Sequence, residues 1–244
     1  AELLSQSCDL IEKRTDCRIE LRKALVRDRT KKRNVNPEYL TTDPDKILKD
    51  ESIEIIVELI GGDDDARTLA IGALEQGKHI VTANKTLVAN NMDNLVELAH
   101  ENNKRIGFEA SVCAGIPVIR MLSGFSSSER YFSILGILNG TSNFILTRMA
   151  QDGLSYDEAL AEAQQLGYAE ADPSLDVNGG DAVSKLIILC KLAFGINLDT
   201  ELVRCTGITA ISKEDFTAAK SLGYTIRLLA QADFQPDVAE FRVE

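Results

Sequence analysis

The 244-residue sequence carries 27 Lys+Arg against 38 Asp+Glu, a formal net charge of −11, with a hydrophobic share of 44% and a charged share of 27%. At that length an ordinary globular composition suits one large or two medium domains. The acidic balance argues against nucleic acid or an anionic membrane as the main partner, while leaving room for a local basic pocket around one phosphate.

In chain order, residues 2–14 are expected to form a helix, since Leu3, Leu4, Cys8 and Ile11 recur at helical spacing. The opening residues do not read as a secretory signal, because no basic segment precedes an apolar run. Residues 19–26 (IELRKALV) alternate and then run apolar, as a strand does, and stop at Arg27-Asp28-Arg29. A short stretch over 40–42 and a small helix over 44–49 follow. Residues 53–60 (IEIIVELI) give a buried-strand signal closed by Gly61-Gly62. A helix over 64–76 is stopped by Gly77, residues 79–83 (HIVTA) form the next strand, 87–102 the next helix and 105–112 another strand.

Strand and helix alternating at this spacing demand parallel strands with crossover helices, hence an α/β doubly wound sheet. Such sheets bind ligands outside the carboxyl ends of their strands. That rule singles out Asp28-Arg29, Ile60-Gly61-Gly62 and Ala83-Asn84-Lys85. The GxGxxG turn that normally holds a dinucleotide pyrophosphate does not occur in the sequence. The first residue is Ala rather than Met, and the chain starts inside what would be the helix after that turn. The expectation is therefore that the first strand and its phosphate loop lie upstream.

The rhythm changes near residue 112. Residues 116–125 predict a helix with Pro117 in its first turn. Residues 132–138 predict a strand running into Asn139-Gly140-Thr141, with Thr141 or Ser142 as the cap of the next helix. Ser155 and Glu158 have capping-box spacing at the head of a helix ended by Gly167. An acidic loop over 168–180 leads to a helix over 181–194, and 212–219 and 221–232 also read as helical. Residues 240–244 begin a strand. The five scattered cysteines, with no CxxC pair, fit reduced thiols in a cytoplasmic protein. His79 and His100 have no partner pattern for a transition metal.

Five ordered blocks then carry a resemblance. They are Glu58-Leu59-Ile60-Gly61-Gly62; Thr82-Ala83-Asn84-Lys85; the run from Glu109 to Pro117; Leu138-Asn139-Gly140-Thr141-Ser142-Asn143-Phe144; and Gly167-Tyr168-Ala169-Glu170-Ala171-Asp172-Pro173, continued by Asp176, Gly179, Asp181 and Lys185. In order and spacing these resemble homoserine dehydrogenases from end to end of the chain. The resemblance implies a Rossmann-like dinucleotide-binding domain over 1–112 and an α+β catalytic and dimerisation domain over 113–244. It implies NAD(P)H-dependent, reversible reduction of L-aspartate 4-semialdehyde to L-homoserine, on the route to threonine and methionine. It also implies a homodimer. Family members extend beyond both ends of this sequence, with a glycine-rich opening and more of the catalytic domain.

Hydride delivery to an aldehyde builds negative charge on the carbonyl oxygen, which a nearby proton-donating cation stabilises. By resemblance Lys185 is that acid/base and Asp181 contacts substrate. The two stand at i and i+4, on one helix face, a spacing that by itself equally describes a surface ion pair. Glu170 is expected to bind the substrate ammonium and Asp176 to complete the acidic lining; otherwise these are carboxylates of a solvated loop. Lys85, at a strand's carboxyl end, is expected to act on substrate oxygen or cofactor, and the sequence does not decide which lysine carries the proton. Ile60, Gly61 and Gly167 are expected cofactor contacts. Asp28 favours a ribose 2′-hydroxyl, whereas Arg29, followed by Lys31, Lys32 and Arg33, favours a 2′-phosphate; the balance leans to NADP with tolerance of NAD. Glu109, Val112, Ala114 and Ile116 match positions that bind a monovalent cation (Na+) in the family, mainly through carbonyl oxygens. An ordinary strand-to-helix turn would look the same.

Two further readings remain open: a related Rossmann dehydrogenase acting on another amino-acid aldehyde, and a folded, non-catalytic dimerisation module.

Overall fold

The computed structural model describes residues 2–125 and 130–244. These divide into two compact units. One runs to Thr82 and takes in Asn91–Gly107; the other comprises Ala83–Asn90 and Phe108–Glu244.

The first unit contains helices α1 (Glu2–Gln6) and α2 (Cys8–Thr15), strands β1 (Ala24–Leu25) and β2 (Leu40–Thr41), and helix α3 (Asp45–Leu48). It continues with β3 (Ile55–Glu58), α4 (Asp64–Glu75), β4 (His79–Thr82), most of α5 (Lys85–Glu101) and β5 (Ile106–Gly107). β3, β4 and β5 form a parallel sheet in that order, joined by α4 and α5, so the expected α/β class stands. Helix α4 packs against β3 and β4 through Ala66, Ala70 and Ala73, whose small side chains permit close approach. Gly77, at φ 69°, turns the chain out of α4 as its position requires. β1 and β2 make a separate parallel pair.

Three expectations need correction here. The helix over 2–14 is divided at Ser7, and neither piece buries a residue; Leu3 is 79% exposed. The strand over 19–26 contracts to Ala24–Leu25, because β2, its one ladder partner among the described residues, is two residues long. Likewise 105–112 contracts to β5, after which Glu109–Ser111 coils into a 3-10 turn.

The second unit contains α6 (Val118–Phe125), β6 (Ser133–Gly136), α7 (Gly140–Asp152), α8 (Tyr156–Gln165), α9 (Ser174–Val177) and α10 (Gly180–Phe194). β7 (Arg204–Cys205), α11 (Lys213–Ser221), β8 (Ala230–Gln235) and β9 (Val238–Val243) complete it. Its mixed sheet has the order β6-β8-β9-β7. α10 packs on β8 and β9, with Leu186, Ile188 and Cys190 fully buried. Phe194 meets Phe234 at a ring-centroid distance of 5.4 Å. This unit is α+β, as the resemblance implied.

The helix expected over 221–232 is not formed. α11 stops before Gly223, which sits at φ 78°, and the chain re-enters as β8. Ala230 and Ala232 are wholly buried with Gln231 half-buried between them, a period of two. Ladders on both sides of β8 override the helix propensity of its alanines.

Candidate active site

Asp181 is the centre of a charged cluster in the second unit. It lies in the first turn of α10, where the helix dipole favours a carboxylate, and is 4% exposed. Lys185, one turn on, places Nζ 2.6 Å from Asp181 Oδ2 and donates also to the carbonyl of Leu138 at 2.8 Å. Lys85 Nζ stands 2.8 Å from the other oxygen, Oδ1. A lysine opening α5 faces the like-signed end of a helix dipole, and the ion pair with Asp181 offsets that penalty. The i, i+4 pair is therefore no surface bridge. It is a buried carboxylate shared by two ammonium groups, both of which keep donor capacity to spare.

Burial pushes the Asp181 carboxyl up, but hydrogen bonds from Lys185, Lys85 and Asn139 outweigh it and hold the group below its ordinary value.

Asn139 is the member that sequence reasoning overlooked. Its Nδ2 donates to Asp181 Oδ2 at 2.9 Å and to Asp176 Oδ1 at 2.7 Å, and its Oδ1 accepts from Ser142 N at 2.7 Å. Asn139, rather than Thr141 or Ser142, is thus the cap of α7. Asn is among the strongest capping residues, so the signal was present three positions before Ser142. The Ser142 hydroxyl instead donates to Asp176 O at 2.8 Å, and Thr141 Oγ1 to Tyr168 O at 2.8 Å.

These bonds fix the segment carrying the other expected residues. Gly167 ends α8 at φ 77°, with open space where a Cβ would stand. Gln164 Nε2 donates to Glu170 O at 3.2 Å. The Glu170 carboxylate is exposed and engages no partner among the described residues. Asp176 joins the cluster through Asn139; Glu170 is not brought into it by any contact. The α9 loop that carries Asp176 is held from behind. Ile208 N donates to Val177 O at 2.8 Å, and a Cβ on Gly207 would stand 2.4 Å from that same oxygen. Cys205 Sγ donates to Asn178 O at 3.1 Å.

The expected cation positions show a different arrangement from a free carboxylate. Glu109 Oε1 accepts from Ile119 N and Oε2 from Arg120 N, each at 3.0 Å, so the side chain caps α6. Cys113 and Ala114 are both left-handed, at φ 56° and 47°, and form the turn between Val112 and Ile116. Ile116 N closes it on Cys113 O at 3.0 Å.

In the first unit, Gly61 and Gly62 follow β3 at φ 77° and 73°, with no atom within 4 Å of a Cβ at either. Open space beside exposed glycine backbone at a strand's carboxyl end fits the close approach of a flat dinucleotide ring. Ile60, 39% exposed, has its N–H held by the buried carboxylate of Glu58 at 2.6 Å, and Thr82 Oγ1 donates to the other Glu58 oxygen. Arg29 is exposed after β1. The Asp28 carboxylate is occupied by the Thr30 hydroxyl and N–H, at 2.6 and 2.7 Å, which lower its proton affinity.

A parallel-sheet unit with open glycines at a strand's carboxyl end, and a second unit built around a Lys–Asp–Lys cluster, fit the class of pyridine-nucleotide dehydrogenases. Comparison with known proteins supplies the family. The homoserine dehydrogenase domain model matches residues 117–244, and that for the homoserine dehydrogenase NAD binding domain matches residues 4–109. The chain belongs to the homoserine dehydrogenase family.

Homoserine dehydrogenase of Bacillus subtilis (strain 168) is 41% identical over 245 residues, covering 100% of this chain and 57% of that protein. The Synechocystis homoserine dehydrogenase is 48% identical over 217 residues, 88% of this chain and 50% of that protein. The crystal structure of a homoserine dehydrogenase from Thiobacillus denitrificans superposes with a TM-score of 0.92 at 41% identity, over 99% of this chain and 56% of that one. A hyperthermophilic archaeal homoserine dehydrogenase in complex with NADPH gives a TM-score of 0.71 at 33% identity, over 83% and 58% respectively. The chain thus spans about half the length of the curated relatives it matches.

Proposed function

We propose that this chain forms part of an NAD(P)-dependent homoserine dehydrogenase that reduces L-aspartate 4-semialdehyde to L-homoserine and runs the reverse reaction. The observation that carries the reading is the buried Asp181 carboxylate gripped by Lys85 and Lys185. Residues 1–112 serve as the dinucleotide-binding domain and 113–244 as the catalytic and dimerisation domain.

When bound, the reduced nicotinamide supplies the hydride. The residues assigned to hold the cofactor are Ile60, Gly61, Arg29, Gly167 and Lys85. Lys185 donates a proton to the carbonyl oxygen as charge builds there, and in the reverse direction takes it from the hydroxyl. Asp181 keeps that ammonium in place and contacts substrate, and Lys85 adds a second positive charge toward the oxygen. Glu170 binds the substrate ammonium; its exposed, unengaged carboxylate is available for that. Asp176 lines the same site. Arg29, exposed beside a strand end, favours NADP, the more so because the Asp28 carboxylate is already engaged by Thr30; NAD is tolerated because Asp28 remains next to that position as a partner for a 2′-hydroxyl. Carbonyl oxygens of Glu109, Val112, Ala114 and Ile116 are assigned to a monovalent cation (Na+).

The native enzyme is proposed to be a cytoplasmic homodimer. In support, Leu135 on β6 and Ile137 just past its end are 63% and 44% exposed, and Leu135 pairs with Gln231 rather than with the buried alanines of β8 that α10 packs against. Among the described residues no helix is long and apolar enough to cross a membrane.

The test is NADPH oxidation with L-aspartate 4-semialdehyde, on this chain and on the chain extended at both ends with the flanking segments of its Bacillus subtilis relative. Oxidation by the extended form supports the reading; if only that form is active, the isolated chain is a non-catalytic piece. A folded but inactive extended form would reject this substrate in favour of another amino-acid aldehyde.

A further inference from the structure

The Asn139 side chain joins two carboxylates that would otherwise repel. Asp176 Oδ1 and Asp181 Oδ2 both accept from its Nδ2, at 2.7 and 2.9 Å. Which end of the amide carries the nitrogen is not arbitrary. Oδ1 accepts the Ser142 N–H that starts α7, so only the NH2 group can face the carboxylates. Asn139 is 4% exposed, and its backbone neighbour Leu138 offers the carbonyl that takes Lys185 Nζ at 2.8 Å. One turn of chain thereby fixes the catalytic lysine from one side and its carboxylate partner from the other.

We propose that Asn139 is a positioning residue of the reaction, whose amide holds the Asp176 and Asp181 side chains together and so keeps Lys185 aligned as the proton donor. The part concerning turnover rests on the function proposed above; the part concerning the cluster's charge does not. Every charged group facing the amide enters the argument: Asp176 on α9, Asp181 and Lys185 on α10, and Lys85 on α5, which reaches Asp181 from the far side. Two carboxylates and two ammonium groups balance only while the fifth member is neutral and donating.

Asn139→Asp separates this role from that of a helix cap. Asp caps as well as Asn and has nearly the same shape. It replaces the two N–H donors by oxygens aimed at two carboxylates, so one of the three acids must take up a proton.

In the extended enzyme, Asn139→Asp is expected to lower kcat by about tenfold or more at alkaline pH. Activity should recover in part as pH falls and the added carboxyl protonates, with the KM for NADPH unchanged. On this chain alone, thermal unfolding of Asn139→Asp is expected to be depressed relative to wild type at pH above the ordinary carboxylate range and to approach it in acid. A carboxyl raised in the folded state loses its stabilising proton as pH rises.

Wild-type kcat with a wild-type pH profile, and no pH-dependent gap in unfolding, would overturn the proposal and leave Asn139 as a cap. An extended wild-type enzyme inactive on the semialdehyde would instead count against the proposed function, while the unfolding comparison would still decide the charge role. Should Asn139→Asp not fold at any pH, Asn139→Ser keeps a capping hydroxyl but is too short to bridge both acids. Full kcat in that variant would equally overturn the proposal.

Discussion

Lys185 Nζ lies 2.6 Å from Asp181 Oδ2, one helical turn before it on α10, and the same ammonium reaches back to the Leu138 carbonyl at 2.8 Å. The lysine is thus held at two points with one proton left to give. Replacing Lys185 by Ala in the extended enzyme is expected to reduce turnover by roughly 10²–10⁴-fold with little change in cofactor affinity. Steady-state kinetics on both substrates check this; an unchanged kcat would transfer the proton to another group, Lys85 first.

Acid should weaken the second unit through Asp181. Its folded proton affinity lies below that of the free side chain, so the group contributes stability above the ordinary aspartate range, and that contribution is lost as pH falls through the depressed folded value. Melting temperature followed from neutral pH downward should therefore drop more steeply for wild type than for Asp181→Asn, which starts lower. Parallel curves would mean that the ion pairs add nothing.

Gly207→Ala tests the support behind α9. A Cβ there would stand 2.4 Å from Val177 O and 2.7 Å from Asn178 Cα, both backbone atoms. Relief requires the α9 loop to shift, so a loss of about 1–3 kcal/mol or more is expected, with lowered kcat because Asp176 moves. Urea unfolding measures the first effect, and wild-type stability would show that the loop gives way freely.

In the first unit, Lys78 is 3% exposed and donates to the carbonyls of Asp50 and Ile53 at 2.6 and 2.8 Å. Lys78→Met keeps the bulk and strips both donors, leaving acceptors unsatisfied at about 1–3 kcal/mol. Equal urea midpoints for the two proteins would contradict this.

Legibility from sequence followed the range of the interactions. Elements set by local chemistry were readable: the Ser155–Glu158 capping box forms as its spacing requires, and Gly77 turns the chain out of α4 in the left-handed conformation. Elements set by distant partners were not. Residues 221–232 contain good helix formers, yet β8 exists because β6 and β9 flank it. Residues 19–23 alternate like a strand and lack a ladder. At the site, spacing placed Asp181 and Lys185 on one face but could not bury them, nor bring Lys85 across to share the carboxylate. Asn139 was hidden because its value depends on two acids 37 and 42 positions further along the chain.

Cys190 is wholly buried on α10, and burial pushes its thiol up to about 12. At neutral pH it presents almost no thiolate to a reagent that cannot in any case reach it. Alkylation of this one sulfur therefore has to wait for the helix bearing Asp181 and Lys185 to come loose. Its labelling rate is a clock for that opening, native to the sequence and needing no introduced residue. Substrate that tightens the charged cluster should slow the clock, so the two ends of a single helix report occupancy and breathing in the same experiment.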